Sequence, residues 1–143
     1  MDNVKVASQE KIHISSGAVV IRPTESGREV LLLYQKNTDS WHLPKGTKRP
    51  NESVLETALR EVKEETGVEI VVEKYLGSLQ SVKEDGYTKL TYYYLAGPSN
   101  IAVSDHDAEY DNVRFVGFNE AYRLLRQKPI FEKEYELFDK YLR

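Results

Sequence analysis

The 143-residue chain contains no cysteine. That excludes a disulfide framework, a thiolate nucleophile and zinc held by sulfur. It has no apolar run near the ~18–20 residues that a membrane-spanning helix needs, so no membrane partner is expected. It also lacks a strong excess of charge. Its 20 Lys and Arg stand against 23 Asp and Glu, a formal net charge of −3. A chain so nearly balanced has no general pull toward nucleic acid or an anionic surface. Met1 to Glu10 are polar and of mixed charge, unlike a secretory signal. A cytoplasmic protein is expected, with the nucleus as the other compartment open to it. Repeats, low-complexity tracts and linkers are missing too, so a single domain over 1–143 is expected.

What is present is globular in character: 40% hydrophobic and 30% charged residues. Residues 12–22 alternate and are rich in β-branched side chains, which reads as a strand. Thr24 to Gly27 is turn chemistry, and Val30 to Tyr34 is a short apolar strand, so the two form a hairpin. A long loop is expected over 36–52. Residues 53–66 read as a helix with Leu55, Ala58, Leu59 and Val62 as its apolar stripe and Gly67 as its cap. Strands are expected over 68–73, 75–82, 87–96 and 113–118, with a polar loop over 98–112. A short helix follows over 119–127. Pro129 opens a last helix, with Phe131, Tyr135, Phe138 and Leu142 on its core side.

The chemistry concentrates in 46–68. Glu61, Glu64 and Glu65 stand at i, i+3 and i+4, so they share one helix face beside the buried stripe. Carboxylates so close repel one another and weaken the helix. The cost makes sense if a divalent cation sits among them, and Mg²⁺ takes oxygen ligands and shares its shell with substrate phosphates. A solvated acidic face is the competing reading of the triplet alone.

The flanking spacing decides between them. From Gly46, five residues lead to Glu52 and seven more to Arg60-Glu61. Val62, Lys63, Glu64-Glu65, Thr66, Gly67 and Val68 follow. This run matches the 23-residue Nudix box, and the chain resembles a Nudix hydrolase. The resemblance implies an α/β/α sandwich around a central mixed β-sheet. It implies hydrolysis of a nucleoside diphosphate linked to some group X, with Mg²⁺ or Mn²⁺ as cofactor. It also implies Glu61, Glu64, Glu65 and the Gly46 carbonyl as metal ligands, and Glu61 or Glu64 as the base that deprotonates water. Arg60 stands four residues before Glu64 and can hold a carboxylate by a bidentate contact. Glu52 is expected to pair with Arg60.

Three features outside the box bear on substrate. The run Trp41-x-Leu43-Pro44-Lys45-Gly46 resembles the diadenosine tetraphosphate hydrolase branch, and decapping and some diphosphoinositol-phosphate branches share it. Lys45 is a candidate phosphate contact, and Trp41 either anchors the loop or stacks on a base. In Lys89-Leu90-Thr91-Tyr92-Tyr93-Tyr94, alternation places Lys89, Thr91 and Tyr93 on one face. Lys89 and Tyr93 are candidates for phosphate contact and adenine stacking, as the same branch implies. Glu109 resembles a glutamate that completes the metal site from outside the box. His42 is a further candidate for the phosphate path.

The leading expectation is therefore conversion of diadenosine tetraphosphate to ATP and AMP. The alternatives are a diphosphoinositol polyphosphate or polyphosphate hydrolase, an RNA 5′-pyrophosphohydrolase, a nucleotide-pool cleaner, and a non-catalytic nucleotide-sensing module. The expected partner is a small nucleotide or polyphosphate. The chain could be a monomer or a dimer.

Overall fold

The computed structural model of the chain describes residues 11–99, 112–128 and 132–143. Seven strands lie among the described residues: β1 Ile12–Thr24, β2 Gly27–Gln35, β3 Ser40–His42, β4 Lys45–Thr47, β5 Ile70–Val82, β6 Thr88–Pro98 and β7 Val113–Gly117. Helix α1 spans Val54–Thr66 and α2 spans Phe118–Gln127. A single turn, α3 (Tyr135–Leu137), continues as a five-residue π-turn over Phe138–Leu142.

The sheet runs β3-β2-β1-β6-β5, with β4 added to β1 and β7 to β2. It is mixed: β1 and β6 are parallel, whereas β1–β2, β1–β4 and β5–β6 are antiparallel. Side-chain alternation sorts the central strands into two cores. Val19, Val30, Leu32 and Tyr93 face α2 and the C-terminal turns, packing with Ala121, Leu125, Leu137 and Phe138. Ala18, Val20, Leu31 and Ala96 face α1, packing with Val62 and Val68. The result is the expected α/β/α sandwich. No helix among the described residues is long and apolar enough to cross a membrane.

Four details differ from the sequence expectation. The 36–52 segment is not a plain loop, because β3 and β4 form within it by pairing with β2 and β1. The two strands expected over 68–82 are one strand, kinked by register shifts at Val72/Lys74 and Tyr75/Gly77. Helix α1 buries Thr57, Ala58, Val62 and Thr66, while Leu55 and Leu59 remain 39% exposed. The helix is therefore rolled toward β1 and β4, which brings its carboxylate face to the Gly46 strand. The last helix begins only at Tyr135, and Pro129 and Phe131 lie outside the described residues.

Both ends of α1 are locally encoded. The Ser53 hydroxyl accepts from the Glu56 N–H, and the Glu56 carboxylate accepts from the Ser53 N–H. Gly67 closes the helix at φ 77°, and its N–H donates to the Lys63 carbonyl. These caps fix where the helix starts and stops, and so the height of each glutamate above the sheet.

Candidate active site

Arg60 organises the box. Its Nε and Nη2 hold the Glu52 carboxylate, as the sequence suggested, and its Nη2 also donates to the Thr47 carbonyl at 3.0 Å. Its Nη1 donates to Glu61 Oε2 at 2.9 Å and to Glu64 Oε1 at 3.2 Å. The guanidinium holds the Glu52 carboxyl well below the usual carboxylate range, and Glu52 raises the Arg60 pKa in return. One cation thus ties the loop before the helix to two carboxylates on the helix.

Close approach explains Gly46. A Cβ at this position would lie 2.0 Å from Glu61 Cδ and 2.2 and 2.4 Å from its two oxygens. The Glu61 carboxylate therefore occupies the space that any larger residue would fill. Gly17, one strand over, plays the matching backbone role: its Cβ would meet the Pro44 carbonyl oxygen at 2.1 Å. Ser16 pairs with Gly46 across the β1–β4 ladder, and its hydroxyl is buried with no partner among the described residues.

Glu65 accepts from the Lys45 N–H at 2.9 Å. Burial pushes its carboxyl up to about 7; the nearby Glu61 charge also raises it, while the Lys45 N–H opposes the rise. Glu64 stands apart, 52% exposed between Arg60 and Arg49. Among the described residues no three carboxylates or imidazoles converge as a ready-made cage. The donor chemistry still fits a hard divalent ion: two carboxylates that repel each other beside a glycine strand, with an unpartnered buried hydroxyl next to it. Glu109 lies outside the described residues.

A cleft of about 440 Å³ opens in front of this arrangement, lined among others by His42, Lys45, Gly46, Glu65, Lys89 and Lys36. His42 Nε2 lies 2.7 Å from Ser40 Oγ, and burial lowers its pKa. Burial also lowers the pKa of Lys89, helped by the positive charge of Lys45. For Lys45 burial acts downward too, but Glu134 and Glu132 outweigh it and the net shift is upward. Trp41 is half-buried against the core, its ring 5.2 Å from Tyr34. It lines a neighbouring slot of about 300 Å³ with Tyr34, Asn112 and Arg114, and Tyr34 and Asn112 border the cleft as well.

Tyr93 requires a correction. Its ring is fully buried, and its hydroxyl bonds Glu134 at 2.9 Å and Glu132 at 3.2 Å. A ring with no exposed face cannot stack on a base. It shares its sheet face with Thr91, as alternation required, but that face is sealed by the C-terminal turns.

Sequence reasoning missed Glu132 and Glu134. Both are buried beneath the cleft. On one continuous helix the two would stand about 200° apart and could not reach the same place; in the non-helical segment before α3 both reach the Tyr93 hydroxyl. Their i, i+2 spacing, which does not suit one helix face, was the available signal.

Comparisons with known proteins give the family and the fold. A family model for the NUDIX domain matches residues 11–140. The chain belongs to the Nudix family. It is 38% identical over 100 residues to the bis(5′-nucleosyl)-tetraphosphatase [asymmetrical] of Rattus norvegicus, covering 67% of this chain and 62% of the relative. It is 38% identical over 74 residues to the 8-oxo-dGDP phosphatase NUDT18 of Homo sapiens, covering 50% of this chain and 22% of that protein. The chain thus spans less than two thirds of either relative. The fold is similar to a crystal structure of C. elegans Ap4A hydrolase, with a TM-score of 0.71 at 23% identity, covering 91% of this chain and 96% of that one.

Proposed function

We propose that this chain hydrolyses a phosphoanhydride bond in a nucleoside diphosphate linked to X, and that diadenosine tetraphosphate, cleaved to ATP and AMP, is its substrate. The observation that carries the reading is the lining of the cleft. Lysines 36, 45 and 89 and His42 share one cavity with Gly46 and Glu65 of the box. Cationic groups suited to phosphate charge and one carboxylate of the box, Glu65, therefore open onto the same place. The adjoining aromatic slot, which shares Tyr34 and Asn112 with the cleft, suits a long substrate with a base at its end. The likeness to the rat tetraphosphatase supports the same substrate.

Glu61 and Glu65 would hold a divalent cation, with the Gly46 carbonyl and Glu64 as further ligands. When bound, such an ion neutralises phosphate charge and makes a bound water more acidic. The protein's own part is positioning. Arg60 holds Glu61 in place, and the Lys45 N–H holds Glu65. Lys89 and His42 meet the phosphate chain. A carboxylate oxygen of Glu61 or Glu64 takes the proton of the attacking water. A diphosphoinositol specialist needs a dense, uncompensated basic pocket, and the Glu134 carboxylate on Lys45 counts against that.

The test is turnover with Mg²⁺ or Mn²⁺ on diadenosine tetraphosphate, a diphosphoinositol phosphate, capped RNA and 8-oxo-dGTP, with products resolved. ATP plus AMP from the dinucleotide, abolished by chelator, is the expected result. Turnover of another member with silence on the dinucleotide would overturn the substrate. Ligand binding without turnover of any would move the chain to a nucleotide-sensing role.

A further inference from the structure

Lys45 lines the cleft, yet its ammonium is held from beneath. Its Nζ donates to Glu134 Oε2 at 2.7 Å, with both side chains almost fully buried. The other oxygen of the same carboxylate accepts from the Leu43 N–H at 3.0 Å. The Tyr93 hydroxyl, from β6, donates to Glu134 as well. Glu134 itself does not line the cleft. A single buried carboxylate thus binds the backbone and the side chain of one tripeptide, Leu43-Pro44-Lys45.

That tripeptide leads into Gly46. Its far side is pressed onto β1, where the Pro44 carbonyl oxygen stands at the position a Gly17 Cβ would contest. Its Lys45 N–H sets the position of Glu65. The neighbouring Glu132 reinforces the node: it accepts from the Thr91 hydroxyl and lies 3.2 Å from the Tyr93 hydroxyl. An ammonium carries three hydrogens, and Glu134 takes one of them. The remaining two can serve phosphate oxygens only while the carboxylate holds the nitrogen at the cleft floor.

We propose that Glu134, supplied by the C-terminal segment, is a positioning residue that fixes Lys45 and through it the strand carrying Gly46. The segment beyond α2 is then part of the site rather than only packing for the core.

The kinetic test rests on the hydrolase reading; a second measurement does not. Glu134→Gln can keep one acceptor oxygen, for the Leu43 N–H, but puts an amide NH2 donor where the charged oxygen faced Lys45 and Tyr93. In the otherwise native chain it is expected to lower kcat/KM about tenfold or more, the scale of a sub-ångström to ångström misplacement. In a Lys45→Gln background the same change is expected to cost less than about twofold, because the group it positions is gone. A purely structural Glu134 would cost the same in both backgrounds, and equal losses would overturn the proposal. Independently, the Lys45 ammonium protons are expected to give a slowly exchanging NMR signal in the native chain that vanishes in Glu134→Gln. A signal unchanged by the substitution, or absent from the native chain, would also overturn it. Glu134→Asp, which keeps the charge but is too short to reach Leu43 and Lys45 together, is expected to show an intermediate signal should Glu134→Gln not fold. An ammonium signal in Glu134→Asp equal to the native one would again overturn the proposal. Absence of turnover on every substrate, with the NMR result intact, would refute the hydrolase reading and leave the Glu134–Lys45 assignment standing.

Discussion

Two glycine-to-alanine substitutions should separate activity from stability, because the methyl group meets a different kind of atom in each. In Gly46→Ala the new Cβ falls 2.0 Å from Glu61 Cδ, and ordinary contact starts at 3.4 Å. The carboxylate must therefore retreat by at least 1.4 Å. It sits at the end of a flexible side chain, so it can move, but its 2.9 Å bond to Arg60 then stretches or breaks. Losing one such bond costs on the order of 1 kcal/mol. The functional cost is larger: displacement of a reacting group by about 1 Å lowers rates by roughly 100-fold. In Gly17→Ala the methyl meets the Pro44 carbonyl oxygen at 2.1 Å and the Lys45 Cα at 2.8 Å. These are backbone atoms, the first held by the Ala18 N–H and the second in β4, and they cannot step aside as a side-chain end can. Overpacking of this kind costs about 1–3 kcal/mol, or roughly 5–10 °C of Tm at its upper end. The assay is a thermal melt and initial rates on the dinucleotide for both variants. Gly46→Ala is expected to melt near the native chain with activity nearly lost, and Gly17→Ala to melt well below it. A Gly46→Ala chain within about threefold of the native rate would refute the reasoning, since it would mean that the placement of Glu61 does not matter.

Further outcomes follow from the same geometry. Glu65→Ala should lower the rate at least ~100-fold, as expected for loss of a metal-positioned water; a near-native rate would remove Glu65 from the site. Tyr93→Phe deletes the hydroxyl shared by two buried carboxylates and should destabilise the fold by about 1–3 kcal/mol in urea unfolding; an unchanged midpoint would show the bond to be without net value. Burial lowers the His42 pKa, so the unfolded chain binds that proton more readily than the folded one. Stability from this group is full above about pH 6.5 and is lost as pH falls toward the folded pKa, with a slope of at most ~1.4 kcal/mol per pH unit. Native protein should therefore lose more stability than His42→Asn between neutral pH and mildly acidic pH, and parallel losses would contradict the assignment.

Much of the site was legible because it is local. The glutamates at i, i+3 and i+4 share a helix face by geometry alone, and the Ser53–Glu56 capping box and Gly67 set the helix limits through neighbours in sequence. The Glu52–Arg60 pair also lies within one short segment. Alternation correctly placed Thr91 and Tyr93 on a common face of β6. What alternation could not say is what covers that face. A period of two assigns sides, and only the packing of distant segments decides which side meets solvent.

By itself, the sequence determined strands β1, β2, β6 and β7, helices α1 and α2, the box with its spacing, and the chemical character of its donors, since each depends on residues a few positions apart. Tertiary structure decided the rest. It rolled α1 so that Glu61 rests on Gly46, tied β3 and β4 into a stretch that read as loop, and buried Tyr93. It also brought Glu134 beneath Lys45 across 89 positions of chain. Contacts at that range depend on how closed layers fit, and no local pattern of residues encodes them.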